Sequence, residues 1–159
     1  MKKASLYLLM LAMFSLVAVS CSKSEDETPA TDSRDAWVGN YTEVINGTIT
    51  INIPGQPMTV PFSDTGTFRI EKGPATNRII RVDGDTLQTG GTINGNQVTF
   101  DAVTETVVES GMTMTMTATA SGTLNGTVIN YTSNLNGTAS MAGLTIPVTG
   151  SMTGVATKK

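Results

Sequence analysis

The chain has no histidine. That absence removes the imidazole base, every His-ligated metal site and the Ser-His-Asp triad, the commonest catalytic equipment near neutral pH. Its one cysteine, Cys21, cannot build a disulfide framework. Basic residues are scarce too. From Ala36 to Thr157 only Arg69, Lys72, Arg78 and Arg81 stand against eight acids, four minus eight giving −4, without the basic stripe that nucleic acid requires. These charges read as solubilising, and beyond Glu109 they stop: the 48 residues from Ser110 to Thr157 carry none. The longest apolar run, Leu6 to Val19, is fourteen residues, short of the ~20 that a membrane-spanning helix needs. No window after it shows a 3.6-residue apolar stripe, so at most a short turn is expected around Thr31 to Ala36.

The carboxylates offer no catalytic pair. Period-two alternation puts Asp101, Glu105 and Glu109 on one strand face, whereas a glycosidase needs two carboxyls across a cleft at roughly 5 to 9.5 Å. Asp83-Gly84-Asp85 lacks the continuation of a calcium loop and reads as a hairpin tip. The expectation is a non-enzymatic protein without metal or cofactor.

What is present begins with an address. Met1-Lys2-Lys3, the apolar run and Ala18-Val19-Ser20-Cys21 have the anatomy of a secretory signal: a positive start, a short apolar stretch and a cleavage site. The last four residues resemble the lipobox of bacterial lipoproteins, with Ala18 where the family usually has Leu. The resemblance implies a signal peptide over 1–20 and a lipidated Cys21 as mature N-terminus, carrying palmitate-type chains. Each buried CH₂ contributes ~0.8 kcal/mol, so two or more chains anchor durably and the membrane contact is through lipid. Residues 21–35, with Ser22-Lys23-Ser24-Glu25-Asp26-Glu27 and a Thr/Pro/Ala/Ser segment, read as a flexible acidic tether reaching about 20 Å. The acidic cluster behind the cysteine resembles the export signal of Bacteroidota-type lipoproteins, which implies the outer membrane and its cell-surface face.

From Ala36 to Thr157 strand and turn alternate, leaving Lys158-Lys159 as a basic tail. Turn-favouring dipeptides recur at Asn46-Gly47, Asp83-Gly84, Asn94-Gly95, Asn125-Gly126 and Asn136-Gly137. Between them lie Thr/Val/Ile runs such as Thr48-Ile49-Thr50-Ile51-Asn52-Ile53, which puts three Ile on one face. Gly91 to Phe100 and Gly122 to Tyr131 share the pattern G-T-[IL]-N-G-x-x-[VI]-x-[FY]. A second pattern, a small residue or Pro before [ML]-T-[VIM], opens at Pro57, Gly111 and Gly143, each copy followed by a Gly expected just beyond the strand, at Gly66, Gly122 and Gly154. The spacing is too irregular for a solenoid. An all-β antiparallel meander that closes into a small barrel is the expected fold, since closure removes exposed edges; an immunoglobulin-like sandwich is the alternative.

Trp37-Val38-Gly39-Asn40-Tyr41 at the first strand resembles the opening of lipocalin-like and calycin-like barrels, and the Asn-Gly hairpins resemble those of small calycin-like lipoproteins of Bacteroidota. The likeness extends over residues 36–157 and implies an up-and-down barrel. One departure stands out: the late-strand Arg that lipocalins often pack on the signature aromatic has no counterpart before Lys158.

Candidate sites follow from this barrel. Met112, Met114, Met116, Ala118 and Ala120 share one strand face, either as core filling or as a pliable wall for a small hydrophobic ligand, with Trp37, Tyr41, Phe100, Met114, Met116 and Tyr131 the candidate wall residues. The opposite face, Thr113, Thr115, Thr117 and Thr119, offers a rival function: an uncharged surface that contacts glycans or protein. The charges, all before residue 110, predict one charged side and one Thr-rich side. Asp85-Thr86-Leu87 resembles the O-glycosylation site of Bacteroidota secreted proteins, which makes Thr86 the modified residue.

Overall fold

The computed structural model describes residues 31–159 apart from 85, 86, 110, 111 and 142. Cys21, the signal over 1–20 and Thr86 lie outside the described residues. Eight strands follow one another: β1 (Gly39–Ile51), β2 (Met58–Lys72), β3 (Arg78–Asp83), β4 (Leu87–Asn94), β5 (Gln97–Glu109), β6 (Met112–Asn125), β7 (Val128–Met141) and β8 (Leu144–Lys158). Each pairs antiparallel with the next, and β8 returns to β1 in register from Tyr41↔Lys158 to Ile51↔Val148, closing an eight-stranded up-and-down barrel. That last pairing decides against the sandwich, in which the first and last strands would be edges. Every strand finds both neighbours inside one compact unit, Asp32–Lys159, which also holds its own core, so the barrel is a self-sufficient folding unit.

The two ends of the barrel differ. At one end Trp37, Tyr41, Ile70, Ile79, Ile93, Val98, Leu124 and Ile129 pack into a dry core. The segment before β1 caps this end as a hydrogen-bonded turn, Asp35 N to Asp32 O at 2.9 Å and Trp37 N to Arg34 O at 2.9 Å. Arg34 donates from Nη1 to Gly73 O at 2.8 Å and Ala75 O at 3.0 Å, and Lys72 bridges Asp32 and Asp35 at 3.0 and 2.6 Å. Residues 32–35, expected in the tether, therefore belong to the barrel, and the compact unit begins at Asp32. Lys158, expected in a tail, ends β8 and donates to Ala36 O at 3.3 Å.

At the other end β3 and β4 stop short, with 6 and 8 residues against 13 to 15 in the other six strands. Met58 to Thr67 of β2 pair only with β1, and Val103 to Glu109 of β5 pair only with β6. Inward-facing apolar side chains are consequently exposed there, Met58 at 47%, Val60 at 45% and Val107 at 49%, a trough where a fully closed barrel would be sealed.

Glycine placement corrects two sequence expectations. Asp83-Gly84, Asn94-Gly95 and Asn125-Gly126 form turns with φ of 59°, 61° and 62°. Asn46-Gly47 and Asn136-Gly137 do not turn; they sit inside β1 and β7. There Gly leaves room for a neighbour: a Cβ on Gly47 would meet Met152 Cγ at 2.7 Å, and one on Gly137 would collide with Thr115 O and the Met116 sulfur. Likewise Gly66, Gly122 and Gly154 lie inside β2, β6 and β8 rather than beyond them. The two ten-residue repeats are the β4–β5 and β6–β7 hairpins, with Gly91 opposite Phe100 and Gly122 opposite Tyr131. A third correction concerns the acids. A bulge between Phe100 and Val103 breaks the alternation, so Asp101 pairs with Arg78 on the outer face while Glu105 pairs in register with Met116.

Replacing a mid-strand Gly by Ala ordinarily gains about 0.5–1 kcal/mol. At Gly137 the sign reverses: Gly137→Ala is expected to cost about 1–3 kcal/mol by overpacking, read as a fall in the urea midpoint with unchanged slope.

Candidate functional site

The inner face of β3 reads Ile79, Arg81, Asp83, and this places a charge inside the barrel. Arg81, taken from the sequence as solubilising, is 17% exposed, and Glu43 beside it 5%. The guanidinium donates from Nη2 to Glu43 Oε1 at 2.7 Å and to Asp83 Oδ1 at 2.7 Å, and from Nε to Asp83 Oδ2 at 2.8 Å. One of its faces lies on the Phe68 ring, 3.8 Å from the centroid, and Phe68 stacks on Tyr41 at 5.2 Å. Tyr131 donates its hydroxyl to Glu43 Oε2 at 2.6 Å. An Arg does pack on the barrel's aromatics, then, but it comes from β3, not from a late strand.

Small residues make the cluster possible. The Tyr131 ring crosses the backbone of Gly154, where any Cβ would overlap it, and Gly66 leaves Glu43 Oε1 3.2 Å from the position of a Cβ. These strand glycines, which the sequence pattern marked without explaining, clear the path from β7 to Glu43. The electrostatics follow the geometry. Burial pulls the Arg81 guanidinium towards neutrality, but the hydrogen bonds to Asp83 and Glu43 outweigh it and hold the proton more firmly than usual. Burial, then donation to Glu43, pushes the Tyr131 phenol well above its ordinary value, and burial alone raises Tyr41.

Above this cluster, towards the open end, lies a cavity of about 190 Å³. Phe100, Val103, Ala118, Ala120, Ile45 and Met152 supply its apolar wall, and Arg81, Tyr131, Ser133 and Thr89 its polar one. Ala at 118 and 120, on the Met/Ala face, is what leaves the space. Of the six wall residues expected from sequence, Phe100 and Tyr131 line this cavity. Trp37 and Tyr41 are at 0% exposure in the packed end, tied together by the Tyr41 hydroxyl donating to Trp37 O at 2.7 Å. Met114 and Met116 stand further along the same inner face, half-buried in the trough. Sequence reasoning missed Glu43, Arg81 and Ser133; the available signal was their even spacing from apolar inward residues such as Tyr41, Ile79 and Tyr131.

The outer face of β6, β7 and β8 is uncharged, as the sequence predicted, and the acids and arginines of the strands lie on β1, β2, β3 and β5. Hydroxyls pair across strands, Thr104 with Thr117 at 2.8 Å and Thr106 with Thr115 at 3.0 Å. Asp83, at the hairpin tip, is engaged by Arg81.

Two outcomes test the cluster. Arg81→Met strands two inward carboxylates and is expected to cost about 3–5 kcal/mol in urea unfolding. Residues 22–159 contain only Tyr41 and Tyr131, both shifted upward, so no phenolate absorbance should appear near the ordinary value of 10.0 while the barrel is folded. Because the folded phenols keep their protons after the unfolded ones release theirs, stability is full below about pH 10 and falls above it. Phenolate absorbance and loss of the strand circular-dichroism signal should therefore rise together.

No family model matches the chain, and no curated protein matches it. Among solved structures, the ywiB protein from Bacillus subtilis aligns over 79% of this chain and 96% of its own, at 9% identity and a TM-score of 0.33. A protein of unknown function of the DUF3598 family from Nostoc punctiforme aligns over 76% of this chain, at 14% identity and a TM-score of 0.33; the chain spans 48% of that protein.

Proposed function

We propose that the protein is a lipid-anchored, non-enzymatic envelope lipoprotein that holds a small hydrophobic molecule inside its barrel. The observation that carries the reading is the interior cavity of about 190 Å³, walled by Phe100, Val103, Ala118 and Ala120 and continuous in direction with the Met-lined trough. A dry cavity of about 150 Å³ suffices for benzene, so this one takes a ring or a short chain, and a longer tail would run along Met114 and Met116. Met suits such a wall because its unbranched thioether repacks around different shapes. Lipidation at Cys21 would tether the barrel to the outer membrane through residues 22–31, which precede the compact unit.

Native mass spectrometry and solvent extraction of gently purified protein test the reading, a discrete co-purifying small molecule being the expected result. Ala120→Leu fills the cavity and should abolish uptake of a hydrophobic probe, and Met114→Ala with Met116→Ala should weaken it. Thr115→Lys with Thr117→Lys, on the outer face, should leave uptake unchanged. Uptake unaffected by the two Met→Ala changes, together with glycan or protein contact abolished by the two Thr→Lys changes, would favour the rival function, contact through the Thr-rich surface.

A further inference from the structure

The cavity's polar wall is unevenly committed. A guanidinium has five N–H donors. In Arg81 those on Nε and Nη2 go to Asp83 and Glu43, while Nη1 meets no acceptor among the described residues. Every fully buried side-chain polar atom among the described residues has a partner, so Nη1 is not sealed in protein, and Arg81 lines the cavity. Ser133, only 8% exposed, also lines the cavity. Its hydroxyl makes no hydrogen bond to the described residues.

The charge around these donors is already matched and more. Arg81 carries one positive charge against two carboxylates, Glu43 and Asp83, both in contact with it. Asp101 borders the cavity too, but its carboxylate is turned to the outer face, where Arg78 holds it, and adds no charge inside. An entering anion would find a local balance of −1 in a low-dielectric interior, and an entering cation would find Arg81 itself. A pure hydrocarbon would displace water from Nη1 and Ser133 and return nothing to either. What the site lacks is one neutral acceptor.

We propose that the cavity selects uncharged apolar molecules carrying a carbonyl oxygen, such as a ketone or ester, with that oxygen accepting from Arg81 Nη1 and Ser133, and that it excludes carboxylates. This rests on the reading of the cavity as a ligand site and names the ligand's chemical class. The apolar body lies on Phe100, Val103 and Ala118, and the size of the space limits the buried part to about the volume of one substituted ring.

The test uses residues 22–159 and three probes of matched size: acetophenone, ethylbenzene and benzoate, titrated by calorimetry and by chemical-shift perturbation. Acetophenone should bind roughly tenfold or more tightly than ethylbenzene, the scale of a hydrogen bond to a charged donor, and benzoate should give no saturable shift. Ser133→Ala, which leaves the ion cluster intact, should narrow the ketone's advantage severalfold while ethylbenzene affinity holds. Equal affinity for ketone and hydrocarbon, or tightest binding of benzoate, overturns the proposal and leaves the cavity standing as a ligand site. Binding of none of the three, in wild type as in the filled Ala120→Leu variant, overturns the cavity reading itself.

Discussion

The barrel is organised around an arginine buried where a core residue would ordinarily sit. Arg81 lies between two carboxylates, with Phe68 beneath it and Tyr131 completing the second oxygen of Glu43. Removing three charges from water is costly, and mutual attraction offsets that cost only when every donor and lone pair is placed well. Much of the interior follows from this requirement. The glycine at 154 lets a phenol reach across from β7, the glycine at 66 leaves room for the Glu43 carboxylate, and the Tyr41–Phe68 stack sets the plane on which the guanidinium rests. A cluster satisfied in this way fixes register, because a one-residue slip of β3 would turn Arg81 outward and leave Glu43 alone inside.

The same cluster divides the interior. On one side the chain packs as a conventional core sealed by the Asp32–Trp37 turn; on the other the side chains shrink to Ala118, Ala120 and Ser133 and the barrel opens. Unequal strand length produces that opening, since β3 and β4 end while their neighbours continue. The result is a polar floor beneath an apolar shaft. The outer surface is a different material: ranks of Thr, Ser and Asn on β6 to β8 carry no charge, and some of their hydroxyls pair with one another or with Thr104 and Thr106 of β5.

Local chemistry made much of this legible in the sequence. Period-two alternation assigned Met112 to Ala120 to one face, and the shared ten-residue pattern marked the two hairpins whose final aromatics, Phe100 and Tyr131, line the cavity. Three Asn-Gly or Asp-Gly dipeptides became turns because glycine takes the left-handed conformation without penalty. The same dipeptide at 46–47 and 136–137 became strand, since there the missing side chain was needed by Met152 and Met116 across the sheet. A dipeptide cannot tell those two uses of glycine apart, because one is a backbone angle and the other a distant neighbour.

What the sequence determined by itself is the alternation of strand and turn, the apolar faces within a strand, the uncharged second half and the absence of imidazole chemistry, all consequences of residues within a few positions of one another; where β1 and β7 run on through Asn46-Gly47 and Asn136-Gly137 was not among them. Tertiary structure decided which strands meet, that β8 closes on β1, that the bulge after Phe100 separates Asp101 from Glu105, and that Arg81 points inward. Alternation says which residues share a face but not what lies opposite them. The interior position of a charge depends on partners 38 and 88 residues apart in the chain, Arg81 with Glu43 and Glu43 with Tyr131, and only barrel closure brings them within hydrogen-bond reach.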